Sequence, residues 1–175
     1  SPLLYFDPAT GIKAVQLIPH ADTMSKEKLQ QPNNIMLAAK LIRKLHDEGA
    51  SVDFRFDVFE MIPHYEELIE QHESIDWEGY GALREQLMAI KPQLQANSLA
   101  LCHCDPLCEN FVLDAQSGRM YLIDWEYGGM NDPLWDVADV IIESDYNRNQ
   151  RDLFQESYFG RAATAEEDRM ISAYI

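Results

Sequence analysis

Three polar side chains, spaced as a catalytic set would be, lie in the second half of the chain. Asp105 and Asn110 occupy the segment 101–110, and Asp124 follows a turn at residues 114–118. An aspartate can orient an attacking hydroxyl group and accept its proton, while an asparagine and a second aspartate can hold Mg²⁺. These residue types at this spacing predict phosphoryl transfer, with Asp105 as the base and Asn110 and Asp124 as metal ligands.

The same order of residues occurs in the catalytic loop of protein kinases, where H-R-D-x-x-x-x-N precedes D-F-G. Here His103 precedes Asp105, and Asn110 and Asp124 come after it. Either aspartate alone could equally be a turn residue, but the complete set favours catalysis. A histidine at this position more often orients the loop by hydrogen bonding than transfers a proton. We therefore expect His103 to contribute to catalysis mainly by supporting the loop.

Composition and charge limit the class of protein and its partners. The 175 residues suit one domain, and a hydrophobic content of 46% is sufficient for a packed core. A net charge of −16 argues against nucleic-acid binding, because phosphate contacts require clustered Lys and Arg. The same charge suits a cationic substrate, although solubility explains it as well. No apolar run is long enough to span a membrane, and nothing at the start of the sequence looks like a signal peptide.

Three cysteines near the histidine raise the alternative of a zinc site. Cys102, Cys104 and Cys108 are close in sequence and flank His103. On a strand, however, the first two would point to the face opposite to that of the histidine. Zinc sites usually combine two Cys/His pairs, and no second pair follows downstream. We interpret the cysteines as small reduced residues, as is typical of a cytoplasmic protein.

Periodicity predicts a β-hairpin followed by helices. Apolar runs at residues 3–6 and 12–18 flank a turn signal at residues 7–11. Apolar residues that recur every three or four positions predict three helices, at residues 32–48, 58–69 and 80–94. Pro92 is expected to disturb the end of the third helix.

The chain then changes to short strands before it returns to helices. Apolar segments predict strands around the candidate catalytic loop, at residues 99–101, 111–113 and 120–123. Asp132 is predicted to cap a helix that begins at Pro133. Two more helices are predicted, over residues 152–159 and after a capping box at Thr164. The fold class is therefore α+β and mostly α. Since the last helix reaches Ile175 without a terminator, we expect the natural chain to continue.

The helix after Pro133 carries a second candidate feature. Asp136, Asp139 and Glu143 share one side of this apolar helix, where like charges repel unless solvent, a backbone cap or a cation compensates. A solvated face is the alternative for Asp139, whereas Asp136 is expected to be buried against the catalytic loop as a hydrogen-bond acceptor. Aromatic rings beside carboxylates are what a quaternary ammonium site requires. The candidate rings are Trp125, Tyr127 and Tyr146, although core packing explains Trp125 and Trp135 equally well.

Together these motifs resemble the C-terminal lobe of the choline/ethanolamine kinase family, within the kinase-like aminoglycoside phosphotransferase group. The resemblance covers essentially the whole chain and is most specific at residues 103–110, 123–131 and 135–136. The Asp-aromatic-Glu-Tyr sequence at residues 124–127 favours choline kinases over aminoglycoside enzymes. The fold that this implies is the C-terminal lobe of the protein-kinase-like fold, with an N-terminal hairpin and hinge and a second hairpin at the catalytic loop.

The resemblance also implies a role for each matching residue. Asp105 resembles the catalytic base, Asn110 and Asp124 the Mg²⁺ ligands, and Asp136 the residue that supports the catalytic loop. The residues implied to line an amino-alcohol pocket are Glu126, Tyr127, Glu143 and Tyr146, with Trp125 beside them. Those implied to contact ATP are the hinge residues Gln16, Leu17, Ile18 and Pro19 and the apolar residues Val112 and Ile123. The implied acceptor is choline or ethanolamine.

The chain also departs from the family's pattern. No G-x-G-x-x-G sequence precedes the hinge, and no lysine lies in the strand context that would pair with phosphates. We therefore expect a hinge segment at residues 1–24 and a C-terminal lobe at residues 25–175, incomplete at both ends and inactive in isolation. The apolar surface of such a lobe would promote self-association. The alternative functions are phosphorylation of an aminoglycoside or another small molecule, and a non-catalytic binding lobe.

Overall fold

The computed structural model describes residues 3–72, 77–94 and 98–175. It has the mixed α+β architecture that the sequence predicts, with helices predominant. The helices are α1 (Lys26–Leu29), α2 (Pro32–Asp47), α3 (Val58–Glu70), α4 (Tyr80–Ile90), α5 (Pro133–Glu143), α6 (Arg148–Phe159) and α7 (Ala165–Tyr174). The strands are β1 (Leu3–Phe6), β2 (Lys13–Val15), β3 (Ala21–Thr23), β4 (Ala100–Cys102), β5 (Phe111–Asp114), β6 (Arg119–Leu122) and β7 (Gly129–Asn131). They form three small antiparallel sheets, β1-β2, β3-β5-β6 and β4-β7.

The N-terminal hairpin forms at the predicted turn. The Asp7 carboxylate accepts hydrogen bonds from the Ala9 amide at 3.0 Å and the Thr10 hydroxyl at 2.6 Å. Gly11 then adopts a φ of +71°, which glycine adopts readily because it has no Cβ. The apolar side chains of both strands remain exposed, with Leu4 at 67% and Phe6 at 52%.

Strand β3 was not predicted from the sequence. Its three residues pair with β5, with Thr23 opposite Val112. Residues 21–23 therefore belong to the sheet of the β5-β6 hairpin, although the predicted division of the chain at residue 24 groups them with the hinge. The hinge residues 16–19 form no regular element and lead directly into this strand.

The main core lies between α2 and its neighbours. Helix α2 buries Ile35, Ala38 and Ile42, and α6 packs against it through Phe154 and Tyr158. Each large apolar side chain removed from water in this way contributes about 1.5–3 kcal/mol. This core gives the β5-β6 hairpin a fixed support, because Phe111, Met120 and Leu122 of β5 and β6 are buried in it.

The helix starts confirm most of the predicted caps. The Asp132 side chain accepts from the Leu134 amide ahead of α5, and Thr164 forms the predicted capping box ahead of α7. The start of α6 requires a correction. It begins at Arg148 rather than near residue 152, because Asn147 and Gln150 form a capping box that the sequence analysis overlooked.

The strand before the catalytic loop has a partner that was also missed. Strand β4 pairs with β7, with Cys102 opposite Gly129. Glycine suits position 129, since an added Cβ would come within 2.7 Å of the Phe54 ring and would require that ring to move.

Among the described residues, no helix combines the length and the continuous apolar character needed to cross a bilayer.

Candidate active site

The candidate catalytic loop is held through its backbone. The two oxygens of the fully buried Asp136 accept hydrogen bonds from the amides of His103 and Cys104, each at 2.8 Å. Cys104 has a φ of +68°, a left-handed conformation that turns the chain sharply before Asp105. Asp136 thus makes the contacts that support of the loop requires, because it fixes the two residues immediately before the candidate base.

Asp105 presents an unengaged carboxylate. Within the described part of the chain its side chain makes no hydrogen bond or ion pair, whereas its backbone carbonyl accepts from the Asn110 side-chain amide at 2.9 Å. Burial raises the pKa of Asp105 above its ordinary value of 3.8; the nearby charge of Asp124 raises it further, and His103 lowers it. The carboxylate is therefore free to accept a hydrogen bond from an incoming hydroxyl group.

Asn110 and Asp124 are brought together by the hairpin. The Asn110 carbonyl accepts from the amide of Ile123 at 3.0 Å, and Phe111 pairs with Leu122 across β5 and β6. Asp124 follows directly, with a φ of +63° and an exposed side chain. Since the Asn110 amide nitrogen is already bound to the loop, its side-chain oxygen and the Asp124 carboxylate are left as oxygen donors. Such donors suit Mg²⁺, which is commonly held by one or two protein groups together with substrate phosphates.

His103 links the loop to the segment that carries Asp124. Its Nε2 atom lies 2.8 Å from the Ile123 carbonyl oxygen, and its ring meets the Trp125 ring edge-on at 4.8 Å. A carbonyl only accepts hydrogen bonds, so Nε2 must carry the proton. The buried Nδ1 atom has no partner among the described residues. These contacts suit the loop-supporting role expected of His103.

Two aromatic side chains contact Tyr127. A hydrogen bond with Tyr65 raises the pKa of Tyr127, with smaller contributions from Glu126 and Asp105. The Tyr127 ring also packs edge-on against Phe56 at 6.4 Å. This contact of Tyr65, on α3, was not predicted from the sequence, because the helical spacing of Tyr65 matched that of core positions. Of the two tryptophans, Trp135 donates to the Cys104 carbonyl at 3.3 Å, and Trp125 donates to the Leu122 carbonyl at 3.2 Å.

Asp139 is the acidic residue that the sequence left undecided. It lies one helical turn after Asp136 on α5 and is not a solvated surface group. Burial raises its pKa from 3.8 to about 8, and the charges of Asp136, Asp105 and Glu143 add to the increase. No hydrogen bond or ion pair of the described residues engages its carboxyl group. A cation placed beside Asp139 and Asp105 would offset this repulsion.

This elevated pKa predicts a pH-dependent stability. Between about pH 4 and pH 8 the folded protein keeps the Asp139 proton that the unfolded chain releases, so stability falls as the pH rises through this window, by about 1.4 kcal/mol per unit. We expect Asp139→Asn to flatten this decline. Urea unfolding of both proteins at several pH values between about 5 and 8 measures it. Asp152→Asn, on the exposed side of α6, should keep the wild-type dependence of the unfolding free energy on pH. If Asp139→Asn shows the same dependence as the wild type, the raised pKa does not belong to Asp139.

The two remaining pocket candidates lie at the end of α5. The Tyr146 hydroxyl donates to the Leu29 carbonyl at 3.2 Å and its ring packs against Phe154, which makes it a core residue in this structure. Glu143 is half-buried, and its backbone carbonyl accepts from the Cys108 thiol at 3.5 Å. No contact links either residue to Tyr127 within the described ranges, so their pocket role remains a prediction.

The predicted nucleotide contacts flank the same hairpin. Val112 is buried in β5, and Ile123 follows β6 immediately before Asp124. The hinge residues differ in exposure: Ile18 is half-buried, whereas Gln16, Leu17 and Pro19 are exposed. The hinge leads directly into β3, which pairs with β5, the strand that contains Val112. The nucleotide role of these residues stays a prediction.

One of the three cysteines belongs to a group of possible metal donors. Among the described residues, the group of donors close enough to hold a metal is His46, Cys102 and Asp136, within 4.8 Å of one another. These donors already have partners: the Cys102 thiol lies 3.6 Å from the Asn131 carbonyl oxygen, and both other side chains are hydrogen-bonded. Burial raises the pKa of the Cys102 thiol, which therefore stays protonated and is a poor metal ligand.

Comparisons with known proteins show the family and the fold of this chain. The family described as choline/ethanolamine kinase matches residues 15–175. The structure is similar to that of a choline/ethanolamine kinase family protein from Mesorhizobium loti, with 40% identity, a TM-score of 0.88, and coverage of 99% of this chain and 60% of that one. The choline kinase LicA from Streptococcus pneumoniae is 30% identical, with a TM-score of 0.85 and coverage of 98% and 60%. Protein LicA from Haemophilus influenzae is 28% identical over 87% of this chain and 57% of its own length.

The structure is also similar to a relative that was solved with a bound nucleotide and to a more distant phosphotransferase. A LicA structure in complex with AMP is 29% identical, with a TM-score of 0.84 and coverage of 99% of this chain and 59% of that one. An aminoglycoside-3′-phosphotransferase of type VIII is 21% identical, with a TM-score of 0.53 and coverage of 93% and 67%, which is a likeness of fold alone. The chain spans about three fifths of the choline kinase relatives that it matches.

Proposed function

This chain belongs to the choline/ethanolamine kinase family, and from that premise we propose that it is the C-terminal lobe of an enzyme that transfers the γ-phosphate of ATP to choline or ethanolamine. The observation that carries the proposal is the unengaged carboxylate of Asp105, on a loop fixed by Asp136 and adjacent to Asn110. A half-buried acid without a partner, beside two potential metal ligands, is suited to bind and deprotonate a hydroxyl group.

In the proposed mechanism, Asp105 orients the substrate hydroxyl. The hydroxyl oxygen forms a bond to the γ-phosphorus as the bond from that phosphorus to the β–γ bridging oxygen breaks. ADP leaves, and the hydroxyl proton passes to Asp105. Asn110 and Asp124 would hold Mg²⁺, which supplies neutralisation of the phosphate charge. Since the transition state of phosphoryl transfer is loose, positioning and charge account for most of the rate.

The surroundings of Asp105 favour a cationic substrate. In choline and ethanolamine two carbons separate the hydroxyl from the nitrogen, so a hydroxyl at Asp105 places the positive charge close by. Asp139 and Glu126 contribute nearby carboxyl groups, and Tyr127 contributes an aromatic ring. A cation over an aromatic face gains about 0.5–2 kcal/mol. We propose that the cation also stabilises the ionised form of Asp139.

ATP is proposed to lie along the sheet that joins the hinge to the hairpin. Its adenine would contact the backbone of residues 16–19 and the apolar side chains of Val112 and Ile123. The AMP bound to a LicA relative supports the use of a nucleotide. The remaining phosphate contacts would come from a glycine-rich loop and a lysine, which residues 1–175 do not supply.

The test compares residues 1–175 with the protein at the length that its gene encodes. Coupled assays follow ATP consumption with choline, ethanolamine and kanamycin. We expect the longer protein to turn over choline or ethanolamine in the presence of Mg²⁺. We expect no turnover by residues 1–175, because each missing charge-assisted hydrogen bond to ATP costs about 1.5–3 kcal/mol. The exposed hairpin should also promote self-association of this shorter chain, which light scattering would detect.

Each other outcome excludes a part of the proposal. Turnover of kanamycin alone would overturn the amino-alcohol pocket and leave the kinase chemistry in place. No turnover of any acceptor by the longer protein would favour a non-catalytic binding lobe. Robust phosphorylation of choline by residues 1–175 would show that the glycine-rich loop and lysine are not required.

A further inference from the structure

We infer that His46, held by Tyr158, is a positioning residue that acts on the catalytic loop through Asp136. The inference rests on the proposed function, because the loop in question is the one that carries Asp105. His46 lies near the C-terminal end of α2, and its side chain is 4% exposed. Its ring nitrogens contact two different helices, with Nε2 3.0 Å from Asp136 Oδ2 on α5 and Nδ1 2.7 Å from the Tyr158 hydroxyl on α6.

The Asp136 carboxylate sets the direction of both hydrogen bonds that His46 makes. Both oxygens of Asp136 already accept backbone amides, Oδ1 from Cys104 and Oδ2 from His103. The carboxylate only accepts hydrogen bonds, so His46 Nε2 must carry a proton and donate it. In a neutral ring Nδ1 then accepts from the Tyr158 hydroxyl, a bond that is compatible with the tautomer set by Asp136. Burial raises the pKa of Tyr158, so the hydroxyl keeps its proton for this bond.

The position of Tyr158 is itself well defined. Its ring is 4% exposed, meets the His46 ring edge-on at 5.7 Å and has the Arg43 guanidinium 5.4 Å above it. The hydrogen bonds therefore run from α6 through α2 and α5 to the backbone of residues 103 and 104. This continuous connection joins the main core to the two residues before Asp105.

His46 has a function that a packing residue would not have. It is the one side chain in the described part of the chain that donates a hydrogen bond to Asp136; the other donors are the loop amides themselves. Without it, the Asp136 carboxylate can rotate toward another donor, and the same rotation moves the amides that it holds. Small displacements of a catalytic group are costly, since a misplacement of about 1 Å can reduce turnover about 100-fold.

The test uses variants of the protein at its gene-encoded length, assayed with choline. We expect His46→Leu to lower kcat about 100-fold with little change in KM. His46→Gln should recover turnover to within about tenfold of wild type, because its amide can donate to Asp136 as Nε2 does. Tyr158→Phe, which leaves Nδ1 without its donor, should lower kcat less than His46→Leu does. His72→Leu, an exposed substitution at the end of α3, is the control and should keep wild-type turnover.

Hydrogen exchange supplies a readout that does not depend on activity. In His46→Leu we expect the amides of residues 103 and 104 to lose protection, while amides in the middle of α2 keep theirs. Equal loss of protection throughout would show a merely structural role and overturn the inference. So would wild-type turnover by a folded His46→Leu protein. If the wild-type protein phosphorylates neither choline nor ethanolamine, the proposed function fails, and the exchange pattern still decides whether His46 positions the loop.

Discussion

Asp105→Asn should lower kcat for choline by roughly 10²–10⁴-fold in the protein at its gene-encoded length, which is the contribution that general bases typically make. The asparagine can still accept a hydrogen bond from the substrate hydroxyl but cannot take its proton. We therefore expect the KM values for choline and ATP to change little. Steady-state kinetics with each substrate varied in turn would measure both effects.

The pH dependence of the wild-type enzyme provides a second measurement of the same residue. Burial and the charge of Asp124 raise the pKa of Asp105. As the pH falls through this raised pKa, the carboxylate takes up a proton and can no longer receive one from the hydroxyl. The decline in kcat on acidification should thus begin at a higher pH than an ordinary aspartate would give, and Asp105→Asn should lack this limb in its residual activity.

Glu109→Gln is the matched control for Asp105→Asn. Glu109 lies in the same loop and its substitution removes the same charge, but its side chain is exposed. Its turnover should stay within about twofold of wild type, since exposed charges couple weakly to the site. Wild-type kcat in a folded Asp105→Asn protein would show that another group is the base.

Of the substitutions proposed here, Asp136→Ala should lower the free energy of unfolding most, by roughly 3–5 kcal/mol. The reason is that it removes a buried charged acceptor from several donors at once. The amides of His103 and Cys104 and the Nε2 group of His46 would all lose their partner in a site closed to water. Urea unfolding of residues 1–175 would measure the loss as a lower midpoint. In the protein at its gene-encoded length, Asp136→Ala should also lower turnover, because the loop that carries Asp105 is no longer held.

The exposed Asp152→Ala controls for the removal of an aspartate as such. It should change the free energy of unfolding by no more than about 0.5 kcal/mol. A midpoint for Asp136→Ala equal to that of this control would mean that the loop does not depend on Asp136. That result would also weaken the inference on His46, which acts through the same carboxylate.

Local rules account for what could be predicted from the sequence. The caps at Asp132 and Thr164 depend on side chains within three residues of the amides that they bind, so they are visible in the sequence. The helix at Pro32–Asp47 follows from the spacing of its apolar residues. Strands β3 and β7 could not be predicted in this way. Each has three residues, and its partner lies far away in the chain.

The sequence by itself determined the predicted chemistry of the candidate site, since Asp105, Asn110 and Asp124 lie on one loop and one hairpin whose spacing is local. Only the tertiary structure decided how their neighbours are used. In the folded protein Asp139 is half-buried beside other carboxyl groups, and Tyr146 packs in the core. His46 contacts Asp136 and Tyr158 contacts His46, although the three residues lie on helices that are distant in sequence. The physical reason is that residue type and spacing are properties of a segment. Burial, repulsion between charges and the choice of hydrogen-bond partner depend on which segments pack together.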